Sequence, residues 1–379
     1  MRILHTADLH LGRQFNGIAL EDDHAAVLDQ IVAALLAHRA DVLVIAGDIF
    51  DRAAPPERAV KQFNGFLGRV ARESGAAVVM IAGNHDSAER IAAMSIMTDS
   101  RRALIAGVAS ADPAPLIVGD DAGPVAFSAL PFVYEYAARE TFADPTIANP
   151  EDVLAAQVAA ARTRVPQGAR WVVVAHAFVA GGSGSEGERS LARVGGVETV
   201  RPEVFAGAHY VALGHLHRPQ SVGAAHIRYA GAPLAFGFDE AGGAKSMSLV
   251  DLAGDGSIHV TEIPFAPPRA VRVVRGTLLE LLDSAKSDDF VRAELTDAAP
   301  PIEPMKRLRA VFPNACQLAF VREVRQGVAA DLAGARSRLA DPITVIDDFL
   351  AFVRERGLDA PERDLVATTL AGFAEEERP

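Results

Sequence analysis

Short apolar runs that each finish in Asp, Asn or His constrain this chain more than any other feature. Val42-Leu-Val-Ile-Ala46 passes through one glycine into Asp48, and Ala76-Ala-Val-Val-Met-Ile-Ala82 passes into Gly83-Asn84-His85-Asp86. Ile3-Leu4 precedes Asp8-Leu9-His10, Trp171-Val-Val-Val-Ala175 precedes His176, and Tyr210-Val-Ala-Leu213 precedes Gly214-His215-Leu216-His217. Short β-branched runs bounded by turn residues read as buried strands. A fold that sets the ends of these strands side by side gathers seven oxygen and nitrogen donors there: Asp8, His10, Asp48, Asn84, His176, His215 and His217.

That donor set is enough for two metal ions sharing one carboxylate. Asp8 and His10 are two residues apart, so on a strand they face the same side. Gly47 lets the backbone turn ahead of Asp48 without a side-chain clash. A carboxylate has two oxygens and can bridge, while Asn84 adds a neutral oxygen that limits the negative charge. Mixed carboxylate, amide and imidazole ligation suits Mn²⁺, with Mg²⁺ weaker and Zn²⁺ conceivable. Taken singly each element is weak; five of them in order, each after a strand-like run, agree across levels. His5, His24, His38, His209, His226 and His259 lack such placement and are read as ordinary structural residues. The pattern points to hydrolysis of a phosphate ester.

His85 follows a ligand without being one, and is the candidate for protonating the leaving alkoxide. Asp51, three residues after Asp48, either orients His85 or a ligand histidine, or is a helix N-cap or turn residue.

At 379 residues, two or three domains are expected. Half of the residues are hydrophobic and 23% are charged, as in a globular protein with a sizeable core. No apolar run is long enough for a membrane span. Met1-Arg-Ile-Leu-His enters a strand at once, and Cys316 is the only cysteine, so a cytoplasmic protein without intrachain disulfides is expected. The net charge of −12 argues against a duplex coating the whole surface, but not against a local basic track.

Strand and helix patterns alternate up to about residue 100, with helices over Leu20 to His38 and Glu57 to Glu73, the latter entered through Pro55-Pro56. From about 115 to 265 the pattern turns to strands, from Val125–Leu130 to Ser246–Val250, interrupted by one helix over about Glu151 to Arg164. Two sheets between helices give an αββα sandwich over 1–265. Gly181–Gly187 reads as a mobile loop. Phe265–Arg269 is a linker to a small α+β module over 270–325. A helical pair over 340–375 places Ile346, Phe349, Leu350 and Val353 on one face.

The ordered clusters resemble the calcineurin-like metallophosphoesterases, and more narrowly the SbcD-type nuclease subunits of bacterial SbcC–SbcD complexes. The narrower likeness rests on Ala7–Arg13, Ala82–Ser87, Ala212–Gln220, Arg228–Leu234 with Phe238-Asp-Glu240, and Phe312-Pro-Asn314. It extends to about Leu370 and implies one ion on Asp8, His10, Asp48 and His217, and another on Asp48, Asn84, His176 and His215, both manganese. It also implies a DNA exonuclease and endonuclease in repair, recombination and replication, acting on duplex ends and hairpins. The 270–325 module would cap the site, with Arg269, Arg272, Arg275, Lys306, Arg307 and Arg309 on phosphates; a solvated face balanced by acids is the alternative. The terminal helices would grip the coiled coil of an SbcC-like ATPase, in a homodimer that becomes a heterotetramer with it. The clusters alone equally fit a phosphomonoesterase or a cyclic-nucleotide phosphodiesterase. A non-catalytic scaffold of the same fold is the third reading.

Overall fold

The first buried run forms the strand Arg2–Thr6, which pairs in parallel with Val42–Ala46; parallel pairing continues to Ala77–Ile81 and Ala103–Ala106. The computed structural model describes residues 1–96, 98–188, 192–193, 196–197, 199–321, 342–354 and 356–376. Among them, a second sheet runs in parallel through Gly123–Leu130, Arg170–His176, Tyr210–Gly214 and Ala224–Tyr229. Leu116–Asp120 and Gln220–Val222 close its edges in antiparallel sense. Both sheets have six strands.

One strand changes sheet relative to expectation. The pattern from 115 to 265 assigns Ser246–Val250 to the second sheet, whereas Ser246–Leu252 lies antiparallel beside Arg2–Thr6, with Ile258–Pro264 outside it. A run buried on both faces encodes burial but not its partner, so only the long-range pairing decides which sheet takes it.

The layers follow from which faces are apolar. Ile3, Val42, Val44, Val79 and Ile81 of the first sheet meet Phe127, Val172, Val174 and Tyr210 of the second in a core between the sheets. Helices Glu21–Ala37 and Glu57–Glu73 cover the outer face of the first sheet. In the latter, Ala59, Phe63, Phe66 and Val70 recur at helical spacing and are buried. Helix Pro150–Arg162, capped by the Asn149 side chain, covers the second sheet through Leu154, Val158 and Ala161. The eight-residue helix Glu135–Phe142 is too short to leave a periodic signature.

Registers align the carboxyl ends of the parallel strands. Thr6 pairs with Ile45, Ala46 with Ile81, and His176 with Gly214. The residues following each strand therefore emerge along one edge, where open parallel sheets characteristically place their sites.

The chain forms two compact units, Met1–Leu295 with Pro300–Ala319, and Thr296–Ala299 with Phe320–Pro379. The first unit includes the small module: parallel strands Val271–Gly276 and Phe290–Leu295 beside Ala315–Phe320, with a core of Leu278, Val291, Leu308 and Phe312. In the second unit, helices Pro342–Arg354 and Ala360–Glu376 are joined by Arg354 with Glu362 at 2.6 Å and Arg363 with Asp347 at 3.0 Å. Among the described residues no helix is long and apolar enough to cross a membrane.

Phe63 is fully buried, with ring centroids 5.6 Å from Phe50 and 6.0 Å from Phe66. Phe63→Ala is expected to cost about 3–5 kcal/mol in urea denaturation. Leu279→Ala, at a side chain 76% exposed, is expected to stay within about 0.5 kcal/mol of wild type.

Candidate metal centre

Beyond the strand ends the chain is held in conformations that L-residues usually avoid. Asp8, His10, Asp48 and His215 have φ of 53°, 45°, 48° and 107°. Such backbone costs about 1–3 kcal/mol per residue and persists only where surroundings enforce it. Here the enforcement is a second ladder: Asp8 N donates to Gly47 O at 3.0 Å, His10 N to Asp48 O at 3.0 Å, and Leu11 N to Ile49 O at 2.9 Å. Two glycines permit the close approach. A Cβ on Gly47, itself at φ 90°, would strike His176 Nδ1, and one on Gly214 would overlap the Ala46 carbonyl.

Each cluster then orients another. Both oxygens of Asp8 accept from His215 N, at 2.9 and 3.1 Å. Asp48 Oδ1 accepts from His85 N at 2.9 Å. That leaves Asp48 Oδ2 facing His176 Nε2 at 3.5 Å and His10 Nε2 at 3.8 Å. His176 Nδ1 donates to Ala46 O at 2.9 Å, which turns Nε2 towards Asn84 Oδ1, also 2.9 Å away. Asn84 Oδ1 is 3.1 Å from His215 Nδ1, and His10 Nε2 is 3.2 Å from His217 Nε2. The seven side chains fall into two groups that share Asp48: Asp8, His10 and His217 on one side, and Asn84, His176 and His215 on the other.

The electrostatics fit divalent cations. Burial holds His10 well below its ordinary range, and burial followed by the neighbouring His176 brings His215 down to about 3. Both are therefore neutral at pH 7, the form that ligates metal. At His176 burial is opposed by the Asp48 carboxylate, which raises it to about 9. Burial lifts Asp8 well above the usual carboxylate range. Two fully buried carboxylates thus compete for positive charge within a nest of converging lone pairs, and carboxylate, amide and imidazole donors together suit hard to borderline divalent ions.

His85 stands beside this cluster. Its Nδ1 donates to the Asp51 carbonyl at 2.8 Å, so Nε2 points back towards Asp48 Oδ2, 3.9 Å away. Sequence reasoning gave Asp51 either a carboxylate that orients histidine or a capping role. The backbone carbonyl orients His85, while the carboxylate lies 3.8 Å from His10 Nδ1 and 3.5 Å from Arg13.

Several supports carried no expectation. The Asp86 carboxylate accepts from Gly83, Ile49 and Phe50 N at 3.0, 3.0 and 2.9 Å, locking the second and third clusters together. Glu188 accepts from His217 N at 2.7 Å. Glu240 Oε1 lies 3.7 Å from His217 Nδ1, and its other oxygen pairs with buried Lys245, which also donates to His217 O at 2.9 Å. The Phe238-Asp-Glu240 signature was the available signal, without a role attached. Gly181–Gly187 is tied down through Ser183 N to Gln220 at 2.8 Å and Arg13 to Gly187 O at 2.9 Å.

The module's cations are largely engaged. Arg269 forks onto buried Asp23, donates to Ala19 O and lies 4.4 Å from the Phe290 ring centroid, so it fastens the module to the core instead of standing free for phosphate. Arg272 pairs with Asp289 at 3.3 Å and Lys306 with Glu303 at 3.0 Å. Arg309 donates to Ala315 O at 3.2 Å; Arg272, Arg275, Arg307 and Arg309 are all exposed at the surface. In the second unit Ile346 and Leu350 are half-buried and Phe349 is 62% exposed, while the side chain of Val353 lies outside the described residues.

A family model for calcineurin-like phosphoesterases matches residues 1–219, which contain all seven converging donors and His85. The chain belongs to this family. A second model, described as the Type 5 capsule protein repressor C-terminal domain and of SbcD type, matches residues 267–354. This calcineurin-like phosphoesterase is accordingly a phosphoesterase hydrolase of a fold that binds divalent metals, with an SbcD-type C-terminal domain.

Carboxylates behind ligand histidines fix the ring and raise its basicity. Glu240→Gln is expected to weaken divalent-ion binding among Asp8, His10 and His217 by roughly 10–100-fold and to leave binding among Asn84, His176 and His215 unchanged. Calorimetric titration with Mn²⁺ reads this as one weakened step of two; equal weakening of both would contradict the assignment.

Proposed function

We propose that this phosphoesterase is a manganese-dependent DNA nuclease, with exonuclease and endonuclease action on duplex ends and hairpins, that works with an SbcC-like ATPase in DNA repair and recombination. The observation that carries the chemistry is the pair of donor groups sharing Asp48 with His85 set beside them. Divalent ions held there supply Lewis acidity and activate water for attack at phosphorus.

The residues do the rest. Asp8, His10 and His217 would hold one ion and Asn84, His176 and His215 the other, with Asp48 available to both groups. As water adds to phosphorus, giving up a proton to solvent, and the P–O bond to the sugar breaks, the imidazolium form of His85 passes its Nε2 proton to the departing oxygen and is left neutral. The Asp51 carbonyl on Nδ1 keeps that edge of the ring aimed inward.

The choice of DNA is supported by the SbcD-type match over 267–354 and by the neighbouring module. Arg292 and Gln317 of the module, with Arg13 and Asn16 of the core, line a cleft of about 250 Å³. Arg272, Arg275, Arg307 and Arg309 are exposed arginines of the module and are the candidates for phosphate contact. Ile346, Phe349, Leu350 and Val353 are the segment proposed to engage the ATPase coiled coil, within a cytoplasmic heterotetramer built on a homodimer of this chain.

The test is cleavage of an end-labelled DNA hairpin with Mn²⁺, beside a chelator control and His85→Leu. The expected result is metal-dependent cleavage reduced at least roughly 100-fold in His85→Leu, with two ions still bound. Hydrolysis of a cyclic nucleotide without hairpin cleavage, even with the ATPase added, would overturn the nuclease reading.

A further inference from the structure

The chain has four tyrosines, used in two opposite ways. Tyr210 and Tyr229 are fully buried, and their hydroxyls bond His5 Nδ1 at 2.8 Å and Ala177 O at 2.7 Å. Tyr134 and Tyr136 are 47% and 69% exposed and nearly parallel, with centroids 5.8 Å apart and an angle of 11° between the ring planes. They are not an isolated surface pair. Phe132 meets Tyr134 edge-on at 5.0 Å, and the Phe132 ring lies 6.4 Å from that of His176. Three rings therefore step outward from a ligand histidine to solvent, starting on the side that holds Asn84, His176 and His215.

The ladder is mounted on fixed backbone. Phe132 N donates to Ala82 O at 3.0 Å, tying it to the strand end that carries Asn84. Tyr134 is the N-cap of helix Glu135–Phe142, and its carbonyl accepts from Ala137 and Ala138 N at 3.1 and 3.0 Å. Rings supported in this way lose little conformational freedom when something flat settles on them.

A nucleobase is the occupant these observations favour. The reaction centre acts on a phosphate ester, and whatever the phosphate carries must extend past the rings at its edge. Every nucleobase presents a π face, and stacking on aromatic side chains is tolerant of sequence. Stacking also needs no positive charge, which matters in a chain of net charge −12 whose module cations are largely paired. Paired bases inside a duplex do not offer their faces, so the occupants are unpaired ones, at a frayed end or in a hairpin loop.

We propose that Phe132, Tyr134 and Tyr136 form a nucleobase-stacking subsite for the unpaired bases of the strand being cut; this rests on the nuclease reading above. A free nucleotide would offer the same face, and the experiment separates the two sources. In a His85→Leu background, which prevents cleavage, fluorescence anisotropy compares a duplex bearing a short single-stranded extension with the same duplex bearing an abasic extension. The extension with bases is expected to bind more tightly. Replacing Tyr134→Ala and Tyr136→Ala together should lose about tenfold on it and nothing on the abasic probe. Tyr134→Phe with Tyr136→Phe should retain the preference, and quenching of 2-aminopurine in the extension should follow the same order. Equal binding of the two probes, or equal weakening of both by the alanine pair, overturns the subsite. Weakened binding of a cyclic nucleotide with the extension unaffected would assign the rings to a small nucleotide and overturn the strand assignment. Failure to bind any DNA probe would overturn the nuclease reading, and the subsite with it.

Discussion

The Asp48 carboxylate is the point on which both halves of the centre depend. Its Oδ1 is fixed by the His85 amide, its Oδ2 faces His10 and His176, and its backbone carbonyl receives the His10 amide. This requires Asp48 to sit at φ 48° directly after a glycine at φ 90°, next to a strand from the other sheet. The sandwich core between the sheets meets that requirement. Ile3, Val44 and Ile81 packed against Phe127, Val172 and Val174 hold the two strand edges close enough for His176 to reach Ala46 O. Backbone strain at the site is thus offset by burial elsewhere, the usual arrangement where a scaffold enforces a functional geometry.

The two halves are not equivalent. His10 and His217 are backed by carboxylates, Asp51 and Glu240, each in turn paired with a cation, Arg13 or Lys245. Phe236 sits between these relays, with its ring 5.1 Å from that of His10 and 5.3 Å from that of His217, and Arg13 4.5 Å over its face. His176, by contrast, is backed by a neutral carbonyl. The two sides are thus charged differently: against its burial, His176 is raised by Asp48 itself, while His10, deeply buried, is held low.

Much of this was legible because the periods that build strands and the residue types that ligate metals coincide at strand ends. Val42–Ala46 and Ala76–Ala82 are short, β-branched and punctuated by glycine, which leaves little choice of structure. Glu57–Glu73 announces itself through Phe63, Phe66 and Val70 after Pro55-Pro56. What sequence patterning does not encode is which distant element a buried run will pair with, hence the different sheet for Ser246–Leu252. Nor does it show how a charged side chain is spent. Arg269 reads as a phosphate-binding cation until Asp23, 246 residues away, is seen to claim it. Glu240 and Asp86 stand in recognisable stretches, but that they meet His217 and the Ile49 and Phe50 amides shows only after folding. Asp51 lies between these cases: its nearness to His85 was readable, but whether backbone or side chain made the contact depended on one loop conformation.

The proposed chemistry needs a two-ion centre bridged by Asp48, with His85 beside the ions and bonded to neither. Anomalous diffraction at the manganese edge from crystals grown with Mn²⁺ addresses it most directly. Two peaks roughly 3.5–4 Å apart are expected, one among Asp8, His10 and His217 and the other among Asn84, His176 and His215, with Asp48 touching both. A single peak, or one coordinated by His85 Nε2, would contradict it.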